Sequence, residues 1–138
     1  MSDMNKNHFN DIIKNDLPWA FDLGMHCKEI SNGTATLELR YTKKMLRPGG
    51  TISGPTMMAL ADATMYAVVL GAIGAVKLAV TTSFNINFLS RPKANNLEAH
   101  GLLLKQGKRL IVIETKIFTV GVDHLVAHAT GTYSVPRR

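Results

Sequence analysis

The chain has 138 residues, of which 46% are hydrophobic and 19% charged, with a net charge of +6 and a single cysteine, Cys27. The length fits one domain with one core, the composition excludes wholesale disorder, and one cysteine excludes an internal disulfide. The positive charge favours polyanions in general, but the basic residues form no continuous stripe with interleaved aromatics, so we expect no nucleic-acid partner.

The first residues form a polar lead-in that contains one short helix. Residues 1–16 have no long apolar run, so we expect no secretory signal and a cytoplasmic protein. Phe9, Ile12 and Ile13 have the spacing of a short amphipathic helix. We assign residues 1–20 to this helix and lead-in, and residues 21–138 to the main domain.

A hairpin and an irregular loop follow the lead-in. Residues 23–31 and 34–42 are typical of two strands joined by a turn at Asn32-Gly33, and the second strand alternates apolar and polar residues. Residues 43–52 are rich in Gly and Pro, which predicts a loop.

The next segment predicts one long, almost wholly apolar helix. Ser53 is suited to the N-cap, Pro55 is tolerated in the first turn, and Gly71 can end the helix. Asp62 is the only charged side chain in residues 48–76. Such a helix is either a membrane span or buried in a core. An Asp near the centre of a span costs about 2.5–3.5 kcal/mol, and amphipathic strands flank the helix, so we expect a core helix and no membrane span.

The C-terminal half has the pattern of four strands separated by turn residues. The four segments are 76–89, 95–106, 109–121 and 124–135. Two strands, one helix and four strands are an α+β order. His124 and His128 are four residues apart, but on a strand they only point the same way at long spacing and no third ligand is near, so we expect no metal site.

Asp62 has a structural and a functional interpretation, and the residues alone leave both open. An unpaired buried carboxylate is costly, so such a group is either bonded to backbone or hydroxyl groups or lies at a cleft. The glycines before the helix allow close approach to a ligand, and a helix N-terminus suits a developing oxyanion. Because Pro55 has no N–H, Gly54 becomes the expected donor. The alternative for this loop is a plain tight turn.

Three motifs together resemble one family of enzymes. Gly50-Thr51-Ile52-Ser53-Gly54-Pro55, followed by Leu60-Ala61-Asp62, resembles the G-T-x-H-G-G…L-A-D signature of hotdog thioesterases of the phenylacetate-pathway (PaaI-like) type. Residues 80–92 resemble the strand of that family that ends in an aromatic residue, Leu and then Arg-Pro, and the turn at 105–108 also fits. The resemblance covers roughly residues 20–135. It implies a curled antiparallel β-sheet of five to six strands wrapped around one long central helix, and an acyl-CoA thioesterase.

The resemblance implies a role for three matching residues. Asp62 matches the family carboxylate that acts as general base or nucleophile. Gly54 matches the glycine whose backbone N–H polarises the thioester carbonyl, and Thr81 falls where a Ser or Thr often helps to hold the attacking water. No metal or redox cofactor is needed for such a reaction.

Three positions depart from the family pattern. Ser53 stands where the family has His, Pro55 replaces its second Gly, and Arg47 stands where Asn is common. The His and Asn usually orient the thioester, and the Ser53 hydroxyl is a partial substitute. The N–H of Gly54 and the carboxylate of Asp62 are retained.

Other side chains have a structural and a binding interpretation. Tyr66, one turn after Asp62, lines the acyl pocket, bonds the carboxylate, or simply packs in the core. Most surface charges are only solvated; alternatively, Arg91 and one or two other cations hold the phosphates of coenzyme A. The other basic residues near predicted turns and strand ends are Arg47, Lys77, Lys93, Lys105, Lys108 and Arg109.

The spacing of Gly54 and Asp62 favours an oligomer. Eight residues along one helix correspond to about 12 Å, so one thioester carbon cannot lie within about 3 Å of both groups. Either the two groups do not cooperate, or each site takes Gly54 from one subunit and Asp62 from another, which a two-fold dimer supplies by symmetry. The resemblance implies the same interface site, in a homodimer or a dimer of dimers.

Two other functions compete with hydrolysis of an acyl thioester. A hydratase or dehydratase on the same scaffold pairs an acid with a His near the helix, and this chain has no His between His26 and His100. A non-catalytic acyl-CoA-binding protein is the other alternative, because Ser53 and Pro55 depart from the signature.

Overall fold

The computed structural model describes residues 3–136, which form three helices and eight strands. The elements are α1 (Lys6–Asp16), α2 (Pro18–Leu23), β1 (Met25–Ser31), β2 (Thr34–Leu39), β3 (Leu46–Arg47), β4 (Thr51–Ile52), α3 (Gly54–Ile73), β5 (Val80–Phe88), β6 (Leu97–Gln106), β7 (Leu110–Thr119) and β8 (Leu125–Ser134). A short 3₁₀ turn at Lys43–Met45 precedes β3.

One six-stranded antiparallel sheet surrounds the long helix. Its strand order is β1-β2-β6-β7-β8-β5, and β3 and β4 form a separate two-stranded ribbon. Helix α3 contacts all six strands of the sheet. The predicted α+β hotdog arrangement, a sheet wrapped around one central helix, is therefore confirmed.

Helix α3 is buried nearly all round. Every residue from Leu60 to Gly71 is buried except Asp62. Among residues 3–136, this helix alone is long and apolar enough to cross a membrane by length and composition. Its apolar surface is already taken up by the sheet, as expected for a core helix.

The helix ends later than the sequence indicates. The prediction that Gly71 ends it is wrong, since α3 continues to Ile73 and Gly74 ends it with a φ of 92°. Gly71 serves a different purpose: a Cβ there would lie 3.1 Å from both Ile30 Cγ1 and Ser31 O, so its lack of a side chain lets the helix approach the end of β1.

The N-terminal helices belong to the same core as the sheet. Phe9, Ile12 and Ile13 of α1 are buried in the main cluster, as their spacing predicts. Helix α2 runs through the predicted boundary after residue 20 and ends at Gly24, which has a left-handed conformation. Residues on both sides of this boundary contribute to one apolar core. Residues 1, 2, 137 and 138 of the predicted segments lie outside the described residues.

The two edges of the sheet differ in what covers them. At the β1 edge, the Asn10 amide donates to Cys27 O at 3.0 Å and accepts from Cys27 N at 2.7 Å. Cys27 is buried, and burial raises the pKa of its thiol to about 11. Strand β5 forms the other edge, and among the described strands it pairs only with β8.

Candidate active site

Asp62 is held by two hydroxyl donors that meet at one oxygen. Thr81 Oγ1 donates to Asp62 Oδ1 at 2.8 Å, and Tyr133 Oη donates to the same Oδ1 at 2.7 Å. Within residues 3–136, Oδ2 accepts no hydrogen bond. The carboxylate therefore has one satisfied oxygen and one oxygen free to react.

The pairing of β5 with β8 brings these two donors together. Thr81 and Tyr133 are register partners, so their side chains leave the sheet side by side. A β-bulge between Thr81 and Ser83 leaves Thr82 outside the regular register. Such bulges re-aim neighbouring side chains, and here the Thr81 hydroxyl faces α3 while the Thr82 hydroxyl bonds Thr132 O at 3.2 Å.

Tyr133 is a permanent donor to Asp62. Burial raises the pKa of the Tyr133 hydroxyl, and the nearby charge of Asp62 raises it further. The ring is only 3% exposed and stacks on Tyr66, with 6.1 Å between ring centroids. The phenol therefore stays neutral and keeps its proton at every physiological pH.

Tyr66 does not bond the carboxylate. Its hydroxyl donates to Lys77 O at 2.8 Å, and burial raises the pKa of this hydroxyl as well. The ring lines the cavity beside Asp62 and contacts Phe9. The Tyr66 ring therefore packs in the core and lines a cavity, whereas its hydroxyl bonds Lys77 O instead of Asp62.

Asp62 lines two cavities that also have apolar side chains in their walls. Two cavities of about 220 Å³ and 330 Å³ share Asp62, Thr81 and Trp19 in their walls. Trp19 is 43% exposed, and Met58 and Phe84 line the same space. These cavities therefore suit an apolar group next to a carboxylate.

Gly54 lies in a different cavity, at the N-terminus of α3. Its N–H has no hydrogen-bond partner within residues 3–136, as expected in a first helical turn. The Ser53 side chain caps the helix: its hydroxyl accepts from Thr56 N at 3.4 Å and lies 2.7 Å from Thr56 Oγ1. A Cβ on Gly54 would lie 3.2 Å from Phe88 Cζ, so a side chain here would displace the Phe88 ring.

The Gly54 cavity carries positive charge. It measures about 560 Å³ and is lined by Arg47 and Arg91 together with Ser53, Gly54 and Phe88. The other predicted cations are elsewhere. Lys77 pairs with Asp16 at 2.9 Å, whereas Lys108 and Arg109 line a fourth cavity of about 660 Å³.

The residues around Asp62 and those around Gly54 lie at opposite ends of β5. Thr81, near its start, bonds Asp62, and Phe88, at its end, covers Gly54. Gly54 and Asp62 occupy the same helix, eight residues apart, which is about 12 Å along the axis. Within one subunit, the structure thus brings Asp62 to Thr81 and Tyr66, and Gly54 to Ser53, Arg47 and Arg91, but leaves the two sets apart.

The sequence did not reveal Tyr133 or Trp19 as site residues. Tyr133 reads as one alternating residue of the last strand, and only the pairing of β5 with β8 shows that it faces Asp62. Trp19 follows Pro18 at the start of α2, with no local pattern that indicates a cavity wall.

Comparison with known proteins identifies the family. The family model described as "Thioesterase superfamily" matches residues 49–124. A protein of Saccharolobus solfataricus named "Putative esterase" is 30% identical over 129 residues, which cover 93% of this chain and 83% of that protein.

Solved structures agree with this assignment. The crystal structure of a "putative thioesterase" from Silicibacter sp. TM1040 has a TM-score of 0.88 at 34% identity and covers 98% of this chain and 94% of that one. The E. coli PaaI protein from the phenylacetic acid degradation operon has a TM-score of 0.84 at 24% identity, over 96% of this chain and 91% of that one, which shows the shared fold.

The fold and the acid near an apolar cavity define a hotdog enzyme of the thioester-hydrolase class. The chain belongs to the thioesterase superfamily. The matched residues 49–124 contain Gly54, Asp62 and Thr81 and end before Tyr133.

Proposed function

We propose that this protein is an acyl-CoA thioesterase that hydrolyses an acyl thioester to a free acid and the coenzyme A thiol at a site shared by two subunits. The observation that carries the proposal is the placement of two incomplete half-sites at the two ends of one open strand. Within residues 3–136, one half supplies a carboxylate with one oxygen that accepts no hydrogen bond, and the other supplies an N–H without a partner at a helix N-terminus.

The open edge of β5 supports a two-fold dimer. The strand has nine residues without a charge or a proline, and such an edge favours pairing with another strand. If two β5 strands pair antiparallel about the point between Phe84 and Asn85, residue 81 faces residue 88 of the partner subunit. Asp62 then lies near Gly54 of the partner subunit, and symmetry forms the site twice. A dimer of dimers is compatible with this site.

Hydrolysis follows from the combined groups. The thioester carbonyl oxygen accepts the Gly54 N–H, and the partial positive charge of the helix N-terminus stabilises the oxyanion. Asp62 either activates a water that adds to the carbonyl carbon, or attacks that carbon to give an anhydride that water then cleaves. In both routes the carbon–sulfur bond breaks and the thiolate leaves and takes up a proton. The Thr81 hydroxyl donates to Asp62 and retains lone pairs that accept a hydrogen bond from the water.

The difference between the half-sites orients the substrate. Arg47 and Arg91 bind the phosphates of coenzyme A by charge-assisted hydrogen bonds. The acyl group lies against the apolar wall formed by Trp19, Met58 and Phe84, with the Tyr66 ring behind it. The group of Ser53 that contacts the thioester is its hydroxyl, and this same hydroxyl also caps α3. The reaction uses protein groups and water alone, in the cytoplasm.

Binding of acyl-CoA without turnover is the second candidate. It is favoured by the engagement of the Ser53 hydroxyl with Thr56 and by the missing N–H of Pro55. A hydratase is disfavoured, because the described residues that line the Asp62 and Gly54 cavities include no histidine.

Release of free thiol from a panel of acyl-CoAs tests the proposal. Asp62→Asn keeps an oxygen that accepts from Thr81 and Tyr133 but removes the base, so we expect kcat to fall by about 10³-fold. Asp22→Asn, at an exposed aspartate of α2, is the matched control and should match wild type. Full activity of Asp62→Asn would exclude the acid from the reaction. Calorimetric binding of acyl-CoA by a wild type that releases no thiol would favour the second candidate.

A further inference from the structure

We propose that Tyr133 is a positioning residue of this site: together with Thr81 it fixes Asp62 Oδ1, so that Oδ2 is the oxygen that meets the water or the thioester. The inference rests on the proposed function and adds to it the orientation of the carboxylate. The family match ends at residue 124 and assigns nothing to Tyr133.

The contacts of the Tyr133 hydroxyl tie the Asp62 side chain to its own backbone. The hydroxyl lies 2.7 Å from Asp62 Oδ1 and 3.0 Å from Asp62 O. A phenol has one proton, which both acceptors share at this point. Asp62 O belongs to the backbone of the rigid helix α3, so its bond to the Tyr133 hydroxyl fixes the position of that hydroxyl relative to the Asp62 carboxylate.

The ring itself cannot move to follow a rotating carboxylate. It is 3% exposed and is held between the sheet and the Tyr66 ring. Buried side chains in dense packing keep one rotamer. Rotation of Asp62 would therefore break the bond to Tyr133, the bond to Thr81, or both.

Two donors on one oxygen leave the other oxygen with uncompensated charge. Hydrogen bonds to a carboxylate are roughly twice as strong as those between neutral groups. Within residues 3–136, Oδ2 has no such donor, and the Asp62 side chain borders the cavities that Trp19 lines. Tyr133 also lines the smaller of these cavities, but its one hydroxyl proton is engaged by Asp62 Oδ1 and Asp62 O, so we expect it to act through Asp62.

Tyr133→Phe tests the inference because it removes the hydroxyl and keeps the ring. We expect kcat to fall by about 10- to 100-fold, as a small misplacement of a reacting group commonly does, with KM within about twofold of wild type, since the substrate contacts remain. Thr64→Val is the matched control: it deletes a buried hydroxyl on α3 that, among the described residues, bonds Leu60 O alone, and it should leave both constants unchanged.

A double-mutant cycle separates positioning from mere stability. If Thr81 and Tyr133 hold the same oxygen, the effects of Thr81→Val and Tyr133→Phe on kcat should not multiply. Two results would overturn the role of Tyr133 and leave the proposed function intact. One is that the effects of the two substitutions on kcat multiply. The other is a Tyr133→Phe enzyme with wild-type kcat while Asp62→Asn is inactive.

A crystal structure of Tyr133→Phe gives a readout that does not depend on turnover. The expected result is an Asp62 carboxylate rotated away from its wild-type plane or present in two orientations. An unchanged carboxylate, with Oδ1 still on Thr81 and Oδ2 still free, would overturn the inference even if wild type proved to hydrolyse no thioester.

Discussion

The two edge strands of the sheet, β1 and β5, differ in how far they are protected against pairing with another strand. Strand β1 carries Lys28 and Glu29, has a β-bulge between Cys27 and Glu29, and has its backbone covered by the Asn10 amide. All three features prevent edge-to-edge pairing. Strand β5 is uncharged and mostly exposed, and Val80 at its start is 56% exposed.

The difference between the two edges supports β5 as the strand along which the proposed dimer pairs. A long, uncovered edge strand makes a monomer prone to aggregate. Strand β5 is such an edge, and it runs from the Asp62 half-site to the Gly54 half-site. In the proposed dimer, pairing of β5 with a second copy covers this edge and brings the two half-sites together. Four variants test the contrast between the edges.

The largest effect is expected from a charge at the centre of the open edge. Asn85→Lys places a charge beside the two-fold axis of the proposed dimer, opposite residue 84 of the partner subunit, and a lysine on an edge strand hinders pairing with another strand. We expect a monomer by light scattering and a fall in kcat of about 100-fold or more, because each site loses half of its groups. His26→Lys, an exposed position of β1, is the control and should change neither mass nor rate. A dimeric, fully active Asn85→Lys protein would disprove pairing through β5.

The next effect concerns the bulge at the start of the same strand. Thr81→Val removes a donor to Asp62 Oδ1, so we expect kcat to fall about 10-fold. Thr82→Val removes the neighbouring hydroxyl, whose one bond within residues 3–136 is to Thr132 O, and should retain the wild-type rate. Equal kcat values for Thr81→Val and Thr82→Val would show that the contact of Thr81 with Asp62 does not contribute to catalysis.

A smaller effect is expected just beyond the other end of β5. Arg91→Ala should raise KM for acyl-CoA about fivefold with little change in kcat, since it removes binding common to ground and transition states. The rise should shrink at high salt. Arg109→Ala is the control, because Arg109 lines a different cavity. A larger KM effect for Arg109→Ala would move the phosphates to that cavity.

The smallest effect on activity is expected at the protected edge. Asn10→Ala removes both side-chain bonds to Cys27 and should lower the free energy of unfolding by about 1–3 kcal/mol. Denaturant titration measures this loss, while kcat should remain unchanged. A marked fall in kcat would connect the β1 edge to the site and weaken the contrast.

The order of elements could be read from the sequence because each has a local cause. The apolar run of α3, the turn at Asn32-Gly33 and the alternation of the last strands predict a helix inside an antiparallel sheet, and the structure agrees. Asp62 could be found because it is the one charge in a long apolar stretch.

The rest depends on contacts between distant residues. Tyr133 meets Asp62 across 71 positions of the chain, and only strand register decides that meeting. The end of α3 was misplaced because Gly71 owes its small size to packing against β1, which no local pattern shows. Likewise, the sequence could not separate Arg47 and Arg91, which share a cavity, from Lys108 and Arg109, which line another.

Complementation between two inactive variants tests the shared site most directly. Gly54→Val inserts a side chain against Phe88 at one half-site, and Asp62→Asn disables the other. In a heterodimer purified through two different tags, one site contains both defects and the other contains neither, so we expect about half of the wild-type rate per dimer. If the heterodimer is as inactive as its parents, each site lies within a single subunit and the account is contradicted.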